Sequence, residues 1–345
     1  MENLTFGNDR IKTGGRHVIR DGVLYLTFSG SSLEFDLEGT KASARIRTDL
    51  WEDSALCGYL ALFHNGVFVK KIKLDKETAD YDLFESEIPR KVRIRLVRLS
   101  ETNFGKAAVL SVSCEGKVTR VPDRKRKIEF IGDSITCGYG VEGVCGTDNF
   151  STSTENPLKA YAMLTAEALD AEATLVSWSG NGLISHYIPP EVDTPDASFP
   201  MMQDVYRYAD VAGFGFEGLD SPEEYDFSDF TPDTVVINLG TNDQSYTRGH
   251  EDRVRAFGDA FEDFIKVIRE KRPNARIIAV FGVMGQDLCD EEERRINKLS
   301  STDKNLAFLK LDLQKDEDGL GVDFHPSAAT HKKVAEKLIS YIKRT

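Results

Sequence analysis

A serine, a histidine and an aspartate stand in this sequence where together they could carry out nucleophilic acyl chemistry. The apolar run Ile128-Glu-Phe-Ile-Gly-Asp-Ser-Ile-Thr136 breaks at Gly132-Asp133-Ser134, so a small hydroxyl sits where a strand runs out. An alkyl hydroxyl is a poor nucleophile at neutral pH and needs a base within hydrogen-bond reach. Among six histidines (His17, His64, His186, His250, His325 and His331), His325 is the best placed. Gly321-Val-Asp-Phe-His-Pro326 sets Asp323 two residues before it and Pro326 after it, and Ser327 can cap the helix that follows. Asp323 would fix the imidazole tautomer and stabilise the imidazolium, completing a nucleophile, base and acid in the order Ser, Asp, His. His331 is the rival base, six residues on and inside that helix. His186 is a candidate to line the site from the loop after the second strand.

An acyl intermediate also needs donors for its oxyanion. Ser177-Trp-Ser-Gly-Asn-Gly182 follows one strand, and its glycines let a backbone N–H approach a ligand closely. Val235-Val-Ile-Asn-Leu-Gly-Thr-Asn-Asp243 follows the next, where Asn242 offers a side-chain amide. The Ser134 N–H, the Gly180 N–H and the Asn242 amide would form a set of preorganised donors. Singly, Gly180 reads as a turn and Asn242 as a cap. Four strand-end signals in one half of the chain argue for a site.

Those signals need a parallel sheet behind them. Beyond residue 127 the pattern alternates strand and helix, with strands over 128–132, 173–178, 234–239, 276–283 and 306–311. Helices are expected near 157–169, 252–271, 289–301 and 327–343, the alternation of an α/β fold with helices on both faces of its sheet. Ligands collect at the carboxyl ends of strands in such sheets. The segment from Ile184 to Phe230 is long, aromatic and weakly periodic, a type of loop that is more often functional than idle. The first 120 residues differ. Val23-Leu-Tyr-Leu-Thr-Phe28, Lys41–Arg47 and Lys91–Arg98 alternate with period two, and Asn65-Gly66 marks a hairpin. Three domain-level pieces follow: an all-β sandwich of jelly-roll type over 1–120, a basic linker over 121–127, and a catalytic domain over 128–345.

Composition narrows the function classes. At 345 residues two domains are the default. A net charge of −13 argues against non-specific nucleic-acid binding and gives no attraction to anionic membranes. The four basic residues of Val121–Lys127 read as a solvated linker. Five cysteines without Cys-x-x-Cys spacing read as free thiols, and the opening residues carry no basic-then-apolar leader, so a cytoplasmic location is expected. The G-x-S-x-G, H-E-x-x-H and phosphate-cradling G-x-x-x-x-G-K-[ST] motifs are absent.

Gly-Asp-Ser, then Gly180, then Gly-Thr-Asn-Asp, then Asp-x-His resembles the SGNH (GDSL-type) hydrolase superfamily at Ser134, Gly180, Asn242 and His325. Most members place the acid three residues before the histidine, and here it is two. That spacing, Gly-Asp-Ser-Ile-Thr-Cys-Gly-Tyr-Gly140 and the β-rich first half together resemble carbohydrate esterase family 2. The resemblance implies a jelly-roll domain fused to an SGNH domain. It implies removal of acetyl groups from sugar hydroxyls, typically the 6-position of hexopyranosyl units in plant polysaccharides, with no metal or other cofactor. An acetylated oligosaccharide is then the expected partner, with Trp178, His186, Tyr187, Tyr206, Tyr208 and Phe214 as candidates to contact it. Two other readings stand beside this one: a lysophospholipase or thioesterase of the same superfamily, and a non-enzymatic carbohydrate-binding protein.

Overall fold

The computed structural model describes residues 2–7, 9–211 and 221–344. The chain divides into two compact units: Met1–Asp123 with Ser151–Glu155 and Tyr208–Tyr225, and Arg124–Phe150 with Asn156–Arg207 and Asp226–Thr345.

The first unit carries β1 (Glu2–Leu4), β2 (Lys12–Gly14), β3 (His17–Arg20), β4 (Val23–Leu26), β5 (Ser32–Thr48), β6 (Tyr59–His64), β7 (Val67–Lys73), β8 (Thr78–Arg98) and β9 (Ala107–Arg120). They form one sheet in the order β3-β4-β9-β5-β8-β6-β7, with β1 added on β9 and β2 on β5. The expected period two holds along β5, but its phase changes. Leu33, Phe35 and Leu37 are buried on one side of Gly39, and Ala42, Ala44 and Ile46 on the other. A register shift between Gly39 and Lys41 moves the parity by one residue, which swaps the two faces of the strand. A single sheet thereby folds over one apolar core that includes Leu4, Phe35, Leu62, Leu96 and Val112. The hairpin at Asn65-Gly66 joins β6 to β7 with both residues at positive φ, 52° and 80°.

Further along run β10 (Arg126–Gly132), β11 (Ala171–Ser177), β12 (Tyr208–Asp210), β13 (Glu223–Glu224), β14 (Thr234–Asn238), β15 (Arg276–Phe281) and β16 (Leu306–Lys310). The helices are α1 (Ser134–Cys137), α2 (Tyr161–Ala168), α3 (Met202–Val205), α4 (Thr241–Thr247), α5 (Glu251–Lys271), α6 (Cys289–Leu299) and α7 (Ala328–Arg344). The expected boundaries need correction. The linker is shorter than 121–127, because Val121 is buried and β10 already starts at Arg126. Two stretches expected in the catalytic domain belong to the first unit. Thr152 Oγ1 donates to Cys57 O, and β12 is held there by Arg16 Nη1 on Tyr208 O at 2.7 Å and Thr27 Oγ1 on Ala209 O.

The second unit is a parallel sheet in the order β11-β10-β14-β15-β16. The chain steps from β10 to β11 on one side and later returns to β14 on the other. The topological switch point therefore lies at the end of β10, where a crevice opens between diverging connections. α5 shows why the helices pack: Phe257, Phe261, Phe264, Ile265 and Ile268 make one buried stripe, with Glu251 and Asp252 in the first turn and Arg269 and Lys271 in the last. Glu129, in the middle of β10, is fully buried. Its two oxygens take Arg272 Nε and Nη2 at 2.9 Å each, and Tyr206 Oη donates to it at 3.1 Å. Arg272 Nη1 also donates to Phe227 O and Phe230 O, so this ion pair holds Tyr206 and the C-terminal end of the long Ile184–Phe230 segment.

Candidate active site

Every residue of β10 from Ile128 to Gly132 is buried, and the strand gives way at once to α1. Asp133 caps that short helix, its Oδ1 accepting from Ile135 N at 3.0 Å. Ser134 is the first helical residue and only 5% of its surface is exposed. Its Oγ lies 2.9 Å from His325 Nε2, although the two residues are 191 positions apart.

His325 follows a 3-10 turn, Val322–Phe324, and precedes α7. Its Nδ1 faces two backbone carbonyls, Val322 O and Asp323 O, each at 3.2 Å. Carbonyls only accept, so Nδ1 carries the proton and Nε2 is left as the acceptor for the Ser134 hydroxyl. That is the tautomer of a general base. The expected bond from the Asp323 carboxylate to the imidazole is replaced by these carbonyls. Asp323 Oδ2 instead accepts from the Tyr139 hydroxyl at 2.8 Å. The physical reason is backbone conformation. Asp323 and Phe324 both adopt positive φ, 52° and 63°, which turns the peptide oxygens and not the carboxylate toward the ring. Such conformations are strained by about 1–3 kcal/mol per residue and persist where the surroundings enforce them. Burial pushes the His325 pKa down, partly opposed by the two carbonyls and by the Asp323 charge, so the free base persists at neutral pH.

His331, the rival base, does not reach the nucleophile's position. It is buried in the first turns of α7 with Nδ1 accepting from Tyr161 N at 3.2 Å. Burial and, secondarily, His325 push its pKa down to about 3, which keeps it neutral.

The candidate oxyanion donors follow three adjacent parallel strands. Gly132 pairs with Ser177 at the end of β11 and with Asn238 at the end of β14, so Ser134, Gly180 and Asn242 all emerge from one edge of the sheet. Gly180 takes φ +81°, open to glycine without strain. Among the described residues, neither its N–H nor that of Ser134 donates to another protein group. Asn242 Nδ2 donates to Asn181 O at 2.8 Å and to Asp133 Oδ2 at 3.3 Å, so both its hydrogens have protein acceptors and, unlike the two backbone N–H groups, it must give up the longer bond to serve an oxyanion. The next residue was not singled out from sequence. Asp243 is fully buried and accepts from Leu183 N, Ile184 N and Ser185 N at 2.8–3.1 Å, fastening the loop that carries Gly180. Burial raises its pKa to about 6 against those three N–H groups.

The aromatic candidates separate. Trp178 and His186 both pack on Phe199, with ring centroids 6.2 and 5.0 Å apart, and Tyr187 N donates to Gly180 O at 2.8 Å while its side chain is exposed. These three border the Gly180 turn. Tyr206 does not: it is buried with its hydroxyl on Glu129, so its role is structural. Tyr208 belongs to β12 in the first unit, where its carbonyl accepts from Arg16. Phe214 lies outside the described residues. Two aromatics beside the base were missed, Tyr139 and the exposed Phe324. Both stand inside motifs singled out for other members, Gly-Tyr-Gly140 and Asp-Phe-His325.

Residues 130–333 match the GDSL-like lipase/acylhydrolase family, and residues 13–122 match the carbohydrate esterase 2 N-terminal domain. Cellulase/esterase CelE of Acetivibrio thermocellus is 32% identical over 92% of this chain, which spans 37% of CelE's length. A family two carbohydrate esterase from Clostridium thermocellum, solved with cellohexaose, superposes with a TM-score of 0.84 at 30% identity, covering 97% of this chain and 98% of that one. An acetyl xylan esterase, Est2A, from Butyrivibrio proteoclasticus gives a TM-score of 0.89 at 27% identity, covering 99% and 98%.

Proposed function

The chain belongs to the GDSL-like lipase/acylhydrolase family and, with its carbohydrate esterase 2 N-terminal domain, to the family 2 carbohydrate esterases; we propose that it removes acetyl groups from the 6-hydroxyls of hexopyranosyl units in plant-derived oligosaccharides. The observation that carries this reading is the 2.9 Å contact between Ser134 Oγ and His325 Nε2 at the switch point of a parallel sheet. Ser134 Oγ attacks the acetyl carbonyl while His325 Nε2 takes its proton. Negative charge on the carbonyl oxygen meets the N–H groups of Ser134 and Gly180, and the Asn242 amide as it exchanges its 3.3 Å bond to Asp133 Oδ2 for the oxyanion. His325 returns the proton to the departing sugar oxygen, leaving an acetyl-enzyme. Water, deprotonated by the same imidazole, then attacks the acetyl carbon, and His325 returns that proton to Ser134 Oγ as acetate leaves. Trp178, His186 and Tyr187 supply an apolar and hydrogen-bonding border beside the acyl group, suited to a pyranose face. Similarity to an acetyl xylan esterase and to an esterase that binds cellohexaose supports the sugar as leaving group.

The test is time-resolved NMR of the protein on acetylated manno-oligosaccharides, whose hexoses carry the 6-hydroxyl that xylose lacks, with Ser134→Ala as control. Selective loss of the 6-O-acetyl signal, absent with the variant, is expected. Loss of acetyl from other positions would overturn the regioselectivity. No loss of acetyl, with rapid cleavage of a long-chain acyl ester or thioester, would move the substrate class to lipids.

A further inference from the structure

The segment Gly138-Tyr139-Gly140 links the nucleophile to the base, and the mechanism above makes no use of it. Ser134 O accepts from both Gly138 N and Tyr139 N, at 3.0 and 3.1 Å, so the segment continues directly from the nucleophile's helix. Gly140 O accepts from Val322 N at 3.1 Å, at the start of the 3-10 turn that presents His325. Gly140 sits at φ +62° against Val322, where an added Cβ would fall 2.7 Å from the valine Cβ, so only glycine allows this approach. Tyr139 then touches the turn twice. Its hydroxyl donates to Asp323 Oδ2 at 2.8 Å, and its ring lies 4.4 Å from the His325 ring, tilted by 36°. Phe150 stacks flat on its other face, with centroids 3.9 Å apart and planes 5° from parallel.

We infer that Tyr139 is a positioning residue for His325: its phenol clamps the Asp323 carboxylate and so holds the strained 323–324 backbone, which keeps the Val322 and Asp323 carbonyls on the imidazole. The Asp323 carboxylate thus acts through Tyr139 and not by contact with the ring. The clamp explains how two consecutive side-chain-bearing residues keep positive φ next to a catalytic histidine. It also explains why the nucleophile and base stay in register although they come from opposite ends of the domain. Gln314 Nε2, donating to Phe324 O at 2.8 Å, holds the far side of the same turn.

This inference rests on the esterase reading, so both are tested on a 6-O-acetylated manno-oligosaccharide by acetate release. Tyr139→Phe keeps the stack on Phe150 and removes only the donor. Its kcat should fall about tenfold with KM changed less than twofold, since a small displacement of a catalytic group acts on the rate. Asp323→Gly keeps the left-handed backbone without the acceptor and should lose as much. Asp323→Asn retains an acceptor oxygen for the phenol and should stay within about threefold of the parent. The Tyr139→Phe/Asp323→Gly double variant should be no more than twofold below the worse single one, because both break the same contact. A Tyr139→Phe enzyme within twofold of the parent, a loss expressed only in KM, multiplying losses in the double variant, or Asp323→Asn as impaired as Asp323→Gly would each overturn the clamp. A parent enzyme that releases no acetate would defeat the esterase reading instead.

Discussion

Two groups of buried polar side chains depend on the same strand, β10, and they are built on opposite principles. Toward the side from which β14 and β15 begin, Glu129 meets Arg272 through both carboxylate oxygens and takes the Tyr206 hydroxyl as well, while Arg272 spends its remaining nitrogen on two carbonyls. At the other end, Ser134 and Gly180 hold N–H groups that no described protein group accepts, and the imidazole nitrogen facing Ser134 is an unprotonated base. A charge buried with all its partners fixes architecture. A set of donors held in place and left without protein acceptors suits the proposed esterase site, where their partner would be the transition state.

Substitutions at the two ends should therefore separate rate from stability. The largest effect is expected for Ser134→Ala, with kcat down by roughly 10⁴-fold or more. Its stability should change by no more than about 1 kcal/mol, the net value of one hydrogen bond. Acetate release and urea unfolding on the same sample check both halves. Glu129→Ala should do the reverse, destabilising by about 3–5 kcal/mol as Arg272 is left buried and unpaired. Turnover per folded molecule should hold within twofold, and a specific loss of kcat in a fully folded variant would erase the contrast. Asn242→Ala should lower kcat by about 10²–10³-fold, the value of one oxyanion donor. Its effect on a substrate-analogue Kd should be slight, because the amide acts on charge that develops only in the reaction.

The finest test is pH. Burial holds the folded-state pKa of His325 below the usual 6.5, so the active neutral form survives further into acid than an exposed histidine would allow. The acid limb of kcat/KM should lie below pH 6.5, and a limb at or above that value would contradict the buried-base geometry. His331 runs the same way for stability. Its folded pKa of about 3 is below its unfolded value, so stability present above pH 6.5 should decline as pH falls toward 3, measurable as a falling Tm. His331→Asn should flatten that slope.

Candidate residues whose placement follows from the strand they terminate were legible in the sequence. Ser134, Gly180 and Asn242 each stand two to four residues past an apolar run, and parallel strands in register bring such positions together without any knowledge of packing. His325 was preferred to His331 because an acid stands two residues before it, Pro326 follows it and His331 lies within a helix; its contact with Ser134 is found, but the acid's carboxylate is on Tyr139 and not on the ring. The aromatic candidates were not legible in this way. Tyr206 and Tyr187 occupy the same long segment with the same composition, yet one is buried on Glu129 and the other exposed beside Gly180. Nothing local distinguishes them, because the difference lies in where the segment crosses the sheet. The return of Ser151–Glu155 and Tyr208–Tyr225 to the first unit was hidden for the same reason.

The sequence by itself determined the kind of site: a serine at a strand end, a histidine ahead of a helix, and donors on two neighbouring strand ends. Periodicity and turn chemistry are local properties, so they can be read along the chain. Tertiary structure alone decided how the base is held. The Asp323 carboxylate and the Val322 and Asp323 carbonyls compete for one imidazole N–H, and two positive φ angles with one phenolic hydrogen bond from Tyr139 settle it in favour of the carbonyls. That outcome depends on contacts across 184 residues of chain, which no local pattern encodes.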